Sequence, residues 1–118
     1  MTLLGIALKR AYEAPSDRDG LRVLVERLWP RGLTKAEAAI DDWMKDIAPT
    51  PELRTWYGHR PGRWPEFRRQ YRAELRGNQA AVESLRALCA GQQVTFVFAA
   101  KDEERNSAIV LKELLLAG

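Results

Sequence analysis

The residues Val94-Thr95-Phe96-Val97-Phe98-Ala99 constrain the fold more than any other part of this 118-residue chain. The run is almost continuously apolar, and β-branched and aromatic residues dominate it, which is typical of a strand. A strand that carries apolar residues on both of its faces is covered by other layers on both sides, as in parallel sheets. The run therefore predicts a central strand of an α/β sheet.

Two further runs predict the rest of the sheet. In the first, Leu4, Ile6 and Leu8 alternate with smaller or polar residues, and the second covers residues 23–28. A strand run is followed directly by a helical pattern at 23–47 and at 94–115, an order that favours helices packed on a partly parallel sheet. We therefore predict the α/β class for residues 1–118 as one domain. Its sheet has three or four strands flanked by about five helices.

Capping residues mark the first helix. Thr34 and Glu37 have the Ser/Thr-x-x-Glu spacing of a capping box. Apolar residues at helical spacing follow as far as Ile47, and Pro49 ends the pattern. The sequence therefore predicts one helix over residues 36–47, with the adjacent Asp41 and Asp42 on its surface.

Four more helices are predicted downstream. Thr50-Pro51 predicts a short helix ending at Gly58, because proline suits the first helical position. Apolar stripes predict helices over 64–76, before Gly77, and over 82–89, before Gly91. The acidic run 102–104 predicts the first turn of a last helix, since negative charge stabilises a helix N-terminus.

Composition indicates a cytoplasmic protein without a resident cofactor. The single cysteine cannot form an internal disulfide, which fits a reducing compartment. The apolar run 3–8 is short for a secretory signal, and no run approaches the roughly 18 apolar residues of a membrane span. One His and one Cys exclude a His/Cys zinc cage, and neither a Gly-rich phosphate loop nor a dinucleotide fingerprint occurs. We expect no metal, no cofactor and no membrane partner.

The basic residues are mostly arginine. Fourteen of the nineteen Lys and Arg residues are Arg, and the formal net charge is +3. The planar guanidinium suits bidentate contacts with phosphate or carboxylate better than an ammonium group does. A GC-rich genome would also enrich arginine, together with alanine and leucine. The bias alone is therefore weak evidence for an anionic partner.

Polar side chains follow each predicted strand where it ends. The carboxyl ends of parallel strands meet at one edge of a sheet, where α/β proteins place ligand sites. Guanidinium groups and helix N-termini there would favour a small anion such as a phosphate ester or a nucleotide. The predicted anion-binding residues are Arg10, Arg27, Arg31 and Lys101. The predicted ligand-orienting residues are Trp29, as an apolar or stacking wall, with Asp102 and Asn106.

Other interpretations of the same residues stay open. The basic side chains could instead form structural ion pairs with nearby acids, namely Glu13, Glu26, Asp41 and Asp42. Asp102 could act as a general base or simply cap a helix, which is the commoner role. Cys89 lies on an apolar helical stripe, as an inert core thiol does. No serine has a nucleophile-elbow context, so whether the domain catalyses a reaction is open.

Two alternative functions use other surfaces. Arg68, Arg72 and Arg76 recur at helical spacing beside aromatic residues, a pattern that could bind a nucleic-acid backbone. The same pattern is also typical of arginine stems lying over a buried aromatic face. Exposed tryptophans such as Trp29 or Trp56 could instead dock a protein partner.

The motifs taken together resemble those of the YeaO-like family, bacterial proteins with domain of unknown function 488. The matching blocks occur in order along almost the whole chain. They are Lys9-Arg10-x-Tyr12-Glu13, Arg22-Val-Leu-Val-x-Arg27-Leu-Trp-Pro-Arg31-Gly32-Leu, Trp43-x-Lys45-Asp46-x-Ala48-Pro49, Glu52-Leu53-Arg54 with Trp56, Trp64-x-x-Phe67, Tyr71-x-x-Glu74-Leu75 and Ala99-Ala100-Lys101-Asp102-Glu103-Glu104.

This resemblance implies a small prokaryotic cytosolic α/β domain and no particular activity. The chain departs from the family pattern near its last block. Relatives resemble Lys-Asp-x-x-His/Gln-Asn-His there, whereas this chain keeps Asn106 between Arg105 and Ser107. This chain therefore lacks the histidines that the family pattern places beside Asn106.

Overall fold

The computed structural model describes residues 5–117, and four parallel strands form its sheet. The strands are β1 (Gly5–Arg10), β2 (Leu21–Leu24), β3 (Asp42–Trp43) and β4 (Gln93–Phe98). Their order is β1-β4-β2-β3, so β4 is central, as its continuous apolar character predicts. The α/β class is confirmed, and the described sheet is entirely parallel. Leu4, predicted in the first strand, lies outside the described residues.

Five α-helices accompany the sheet in the described part of the chain. They are α1 (Lys35–Ala38), α2 (Pro51–Tyr57), α3 (Trp64–Arg76), α4 (Gln79–Cys89) and α5 (Ser107–Ala117). Short 3-10 turns cover Asp17–Asp19, Lys45–Ile47 and Pro61–Arg63. The helices predicted to end at Gly58, Gly77 and Gly91 are confirmed as α2, α3 and α4. No described helix is long and apolar enough to cross a membrane.

The two faces of the sheet are covered differently. Side chains that alternate along β4 divide between them, so Val94, Phe96 and Phe98 join the core formed with the long helices. Val97 faces the other way and joins a smaller cluster with Leu24 and residues of the segment before β3. Each face of the central strand is therefore buried, by helices on one side and by an irregular segment on the other.

The predicted helix over 36–47 is wrong beyond Ala38. Ala39 has φ 48°, which ends α1, and the chain then pairs with β2 as the edge strand β3. Backbone N–H groups of Asp41 and Met44 donate to the carbonyls of Arg22 and Leu24. A continuous helix would leave these β2 carbonyls without that pairing.

The apolar pattern of this segment also requires the break. Ile40 and Trp43 pack in the smaller cluster, whereas Ile47 is buried in the core on the opposite face. One straight helix cannot place its side chains on both faces of a sheet. The apolar spacing therefore predicted correctly that these side chains are buried, but it predicted incorrectly that the segment is a helix.

Two other boundaries differ from prediction. Strand β2 ends at Leu24 instead of residue 28, although Val25 N–H still donates to the Val97 carbonyl. Helix α5 starts at Ser107 instead of 102, because Asn106 Oδ1 accepts the Ile109 N–H at 3.0 Å and caps the helix. The acidic run before it forms a turn.

A buried polar network holds the smaller face together. The Arg22 guanidinium donates to Asp19 at 2.6 Å and to the Ala38 carbonyl at the end of α1 at 2.8 Å. Lys9 and Thr95 also donate to Asp19, through its carboxylate and its carbonyl respectively. Because Arg22 is only 4% exposed, this charge depends on these partners for its stability.

Candidate functional site

A cavity of about 690 Å³ opens at the carboxyl edge of the sheet. The loop after β2, the loop after β4, helix α2 with its flanks, and the start of α5 all contribute to it. Its volume is in the range, roughly 300–1,000 Å³, typical of small-molecule sites. The lining residues are Glu26, Arg31, Pro49, Arg54, Tyr57, His59, Phe67, Ala99, Ala100, Lys101, Asp102, Asn106 and Ser107.

Three basic side chains line the cavity without an acidic partner. Arg31, Arg54 and Lys101 are exposed, and none forms an ion pair or donates a side-chain hydrogen bond within residues 5–117. They come from three different segments, the loop after β2, helix α2 and the loop after β4. The fold therefore gathers positive charge from distant parts of the sequence at one opening.

One wall of the cavity is aromatic. The Tyr57 and Phe67 rings are stacked with centroids 4.4 Å apart and an interplanar angle of 23°. Both side chains are buried, and the Tyr57 hydroxyl donates to the Arg105 carbonyl at 3.1 Å. Burial raises the pKa of Tyr57, so this phenol is a neutral hydrogen-bonding group at physiological pH. This wall is therefore aromatic and uncharged.

Glu26 is the acidic group of the cavity interior. Its Oε1 accepts the Ala99 N–H at 3.0 Å, and its own carbonyl accepts the Trp43 indole N–H at 2.7 Å. Burial raises the pKa of Glu26, while the Ala99 N–H and the charges of Arg54 and His59 act in the opposite direction. The raised pKa indicates that the protein compensates this carboxylate incompletely.

Two predicted anion-binding arginines bind the protein instead of facing the cavity. Arg10 Nε donates to the Ala100 carbonyl at 2.9 Å. The Arg27 guanidinium donates to the carbonyls of Ala48 and Pro49 at 3.2 and 3.4 Å. Since Ala100 and Pro49 line the cavity, these arginines fix the backbone of its wall.

The other predicted residues divide between the cavity and the core. Arg31, Lys101, Asp102 and Asn106 all line the cavity. Trp29 does not, because it packs in the smaller cluster on the other face and lies 5.4 Å from the Trp43 ring. Its indole N–H donates to the Leu33 carbonyl. The structure thus brings four of the seven predicted residues to one place.

Asp102 caps a turn instead of the helix. Its Oδ1 accepts the backbone N–H groups of Glu104 and Arg105, and its Oδ2 accepts Arg105 Nε at 3.1 Å. These bonds, that of Glu104 first, hold the pKa of Asp102 below its ordinary value. Asp102 is therefore an ionised structural group at the cavity rim, and the helix cap is Asn106.

The ion pairs considered between the basic residues and Glu13, Glu26, Asp41 or Asp42 do not form within residues 5–117. Glu13 accepts the backbone N–H of Arg10, and Asp41 accepts that of Arg22. In residues 5–117, neither these two acids nor Glu26 pairs with a guanidinium group. The side chains predicted to bind an anion are thus not neutralised by the acids nearest in sequence.

Three of the four arginines of α3 are paired with acids. Arg68 donates two hydrogen bonds to Glu113 of α5, from Nε and from one terminal nitrogen, each at 3.0 Å. A terminal nitrogen of Arg72 lies 3.6 Å from the same carboxylate. Arg69 pairs with Glu66 on its own helix. Arg68 and Arg72 therefore share one acid, Arg76 forms no ion pair within residues 5–117, and the aromatic side chains Phe67 and Tyr71 are buried in the core.

The remaining candidate nucleophiles are placed differently. Cys89 is fully buried, and burial raises the pKa of its thiol to about 11, so the core position predicted from its apolar stripe is confirmed. Ser107 lines the cavity at the start of α5 and is 8% exposed. Within residues 5–117 no group of three or more His, Cys, Asp or Glu side chains could hold a metal ion.

Several lining residues could not be predicted from the sequence, for physical reasons. Glu26 had a signal, since an acid directly after an apolar strand run lies at the sheet edge. Arg54 had none, because an arginine on a short exposed helix is common. The sequence pattern predicts Tyr57 and Phe67 as core residues. They line the cavity only because the surrounding loops leave it open beside their rings.

The fold and cavity define a small parallel α/β domain with a ligand-sized opening at the carboxyl edge of its sheet. Residues 5–118 match the family model described as the inactive DUF488-N3 subclade. The chain belongs to the YeaO-like DUF488 family.

Curated relatives match over almost their full lengths. An uncharacterized protein of Mycobacterium tuberculosis is 43% identical over 110 residues, which cover 93% of this chain and 92% of the relative. The uncharacterized protein YeaO of Escherichia coli is 38% identical over 112 residues, covering 95% and 97%. No solved structure matches the chain.

Proposed function

We propose that this domain binds a small anionic ligand, such as a phosphate ester or a nucleotide, in the cavity at the carboxyl edge of the sheet. The observation that carries the proposal is the set of unpaired cations at the opening, Arg31, Arg54 and Lys101. Guanidinium groups that donate no hydrogen bonds to the protein are available for bidentate contacts with a phosphate.

Binding without turnover is the form of the proposal that the chain supports best. The family model carries the description inactive, and this chain has Ser107 where the resemblance places a histidine. Ser107 has no nucleophile-elbow sequence context, and the one cysteine is buried away from the cavity. The wall of Tyr57 and Phe67 supplies a flat apolar surface for the uncharged part of the ligand.

A thermal-shift screen tests this proposal. Inorganic phosphate, methyl phosphate, AMP and citrate are added to the protein at low and at high salt. We expect one or more phosphates to raise the Tm, and the increase to shrink at high salt because the cations are exposed. An unchanged Tm with every probe at low salt would contradict the proposal.

Matched variants locate the effect. Replacing Arg31, Arg54 and Lys101 together by Ala should abolish the ligand-induced increase in Tm. The control replaces Arg18, Lys35 and Arg76 by Ala, which removes the same charge from exposed positions outside the cavity. An equal loss in both triple variants would show that binding depends on net charge and not on this site.

A further inference from the structure

The cavity has two chemically different ends, and this difference limits what can fill it. Arg31, Arg54 and Lys101 are exposed at its opening, whereas the Glu26 side chain is half-buried and the rings of Tyr57 and Phe67 are buried. A simple inorganic anion would occupy the basic opening and leave the interior empty. A ligand that fills the cavity must therefore satisfy both ends.

Glu26 has one oxygen available for such a ligand. Oε1 accepts the Ala99 N–H, and in residues 5–117 Oε2 accepts no hydrogen bond. The position of the carboxylate is fixed, since the Glu26 carbonyl is held by the Trp43 indole and Ala99 directly follows β4. An ionised carboxylate accepts hydrogen bonds only, so its partner must carry an N–H or O–H group.

We propose that the ligand is a phosphate ester whose organic part carries hydroxyl or amino groups, with the phosphate at the basic opening and a donor hydrogen-bonded to Glu26 Oε2. This inference rests on the proposed function and adds the chemistry of the ligand's second end. A phosphorylated sugar or a nucleoside monophosphate has this bipolar form, whereas methyl phosphate lacks the donor.

The carboxylate also discriminates against the wrong ligands. A second anionic group placed at the interior would face Glu26 and be repelled, since like charges in a partly buried site destabilise each other. An apolar group there would leave the carboxylate buried without a partner. Bisphosphates and simple alkyl phosphates should therefore bind less tightly than a hydroxyl-bearing monophosphate.

The test compares ribose 5-phosphate with methyl phosphate by isothermal titration calorimetry. We expect the wild-type protein to bind ribose 5-phosphate at least about tenfold more tightly, the effect of one hydrogen bond to a charged group. In Glu26→Gln this preference should be lost. Glutamine keeps an oxygen for the Ala99 N–H and presents an NH₂ group, which cannot accept the ligand's hydroxyl proton.

The outcomes separate this inference from the proposed function. Equal affinity of the wild-type protein for both phosphates would overturn the inference and leave anion binding intact. Retention of the ribose preference in Glu26→Gln would also overturn it, because the donor would then bind elsewhere. If neither phosphate bound, both proposals would fall. Glu83→Gln, an exposed change on α4, is the control and should preserve the wild-type preference.

Discussion

Arg27 and Arg31 are four residues apart in the same loop, yet the structure gives them opposite surroundings. Arg27 donates to the carbonyls of Ala48 and Pro49, while Arg31 is exposed at the cavity and makes no side-chain hydrogen bond within residues 5–117. Arg10 and Arg22 resemble Arg27, since both bind backbone carbonyls. The two arginines therefore differ in whether the protein already uses the guanidinium donors, and only the donors of Arg31 are available to the proposed ligand.

The largest expected effect concerns the most buried of these arginines. Arg22→Ala should lower the free energy of unfolding by about 3–5 kcal/mol, because it removes one partner of a buried ion pair and leaves Asp19 undercompensated. Urea denaturation measures this loss. Arg18→Ala, an exposed change nearby, is the control, and a similar small loss in both variants would contradict a structural role for Arg22.

Arg27→Ala should give a smaller loss. Two hydrogen bonds from a charged donor to wall carbonyls disappear, and we expect a cost of about 1–3 kcal/mol in the free energy of unfolding. Urea denaturation beside Arg76→Ala checks it, since Arg76 is exposed at the end of α3. Unchanged stability would contradict a structural role for the Arg27 hydrogen bonds.

The stability effect of Glu26→Gln should depend on pH. Burial raises the pKa of Glu26 above its ordinary 4.5, so the folded chain holds this proton more tightly than the unfolded chain. The carboxyl therefore lowers the stability of the wild-type protein as pH rises from its ordinary pKa through the raised one. A pKa raised by one unit corresponds to about 1.4 kcal/mol in the free energy of unfolding.

The variant lacks this ionisation. Glu26→Gln should be more stable than the wild-type protein at pH 7, and the difference should shrink toward pH 4. Urea denaturation between pH 4 and pH 8 measures it. A variant that loses stability most at pH 7 would indicate that the carboxylate makes a strong ionic contact, against the raised pKa.

The smallest expected effect on stability is at the opening. Arg31→Ala should change the free energy of unfolding by less than about 0.5 kcal/mol, because the side chain is exposed and bonded to nothing within the described residues. The same variant should weaken phosphate binding in calorimetry. If Arg31→Ala unfolded the protein while Arg27→Ala did not, the contrast between the two arginines would be reversed.

Sequence reasoning predicted the parts of the fold that are set by local pattern. The central strand β4 and helices α2, α3 and α4 follow from apolar spacing, prolines and glycines. Strand β3 does not, because it is only two residues long and forms through its pairing with the edge of β2. The apolar residues around it are divided between the two faces of the sheet. Their spacing in the sequence alone predicts one helix.

The position of the candidate site could be predicted from the sequence, but only some of its lining residues could. Parallel strands bring their carboxyl ends together, so Arg31, Lys101, Asp102 and Asn106 could be placed at one edge. Whether an arginine at that edge faces a ligand or a carbonyl depends on where the loops from distant segments pass. That information is in the tertiary structure, which is why Arg27 and Arg31 could not be separated from the sequence.

The most direct test of the account is an NMR titration of ¹⁵N-labelled protein with AMP, followed through backbone amide shifts. We predict that the shifts concentrate at residues 26–31, 54–59 and 99–107, which surround the cavity. Shifts confined to the outer face of α3 around Arg68 and Arg76, or no shifts at all, would contradict the assignment of this cavity as an anion site.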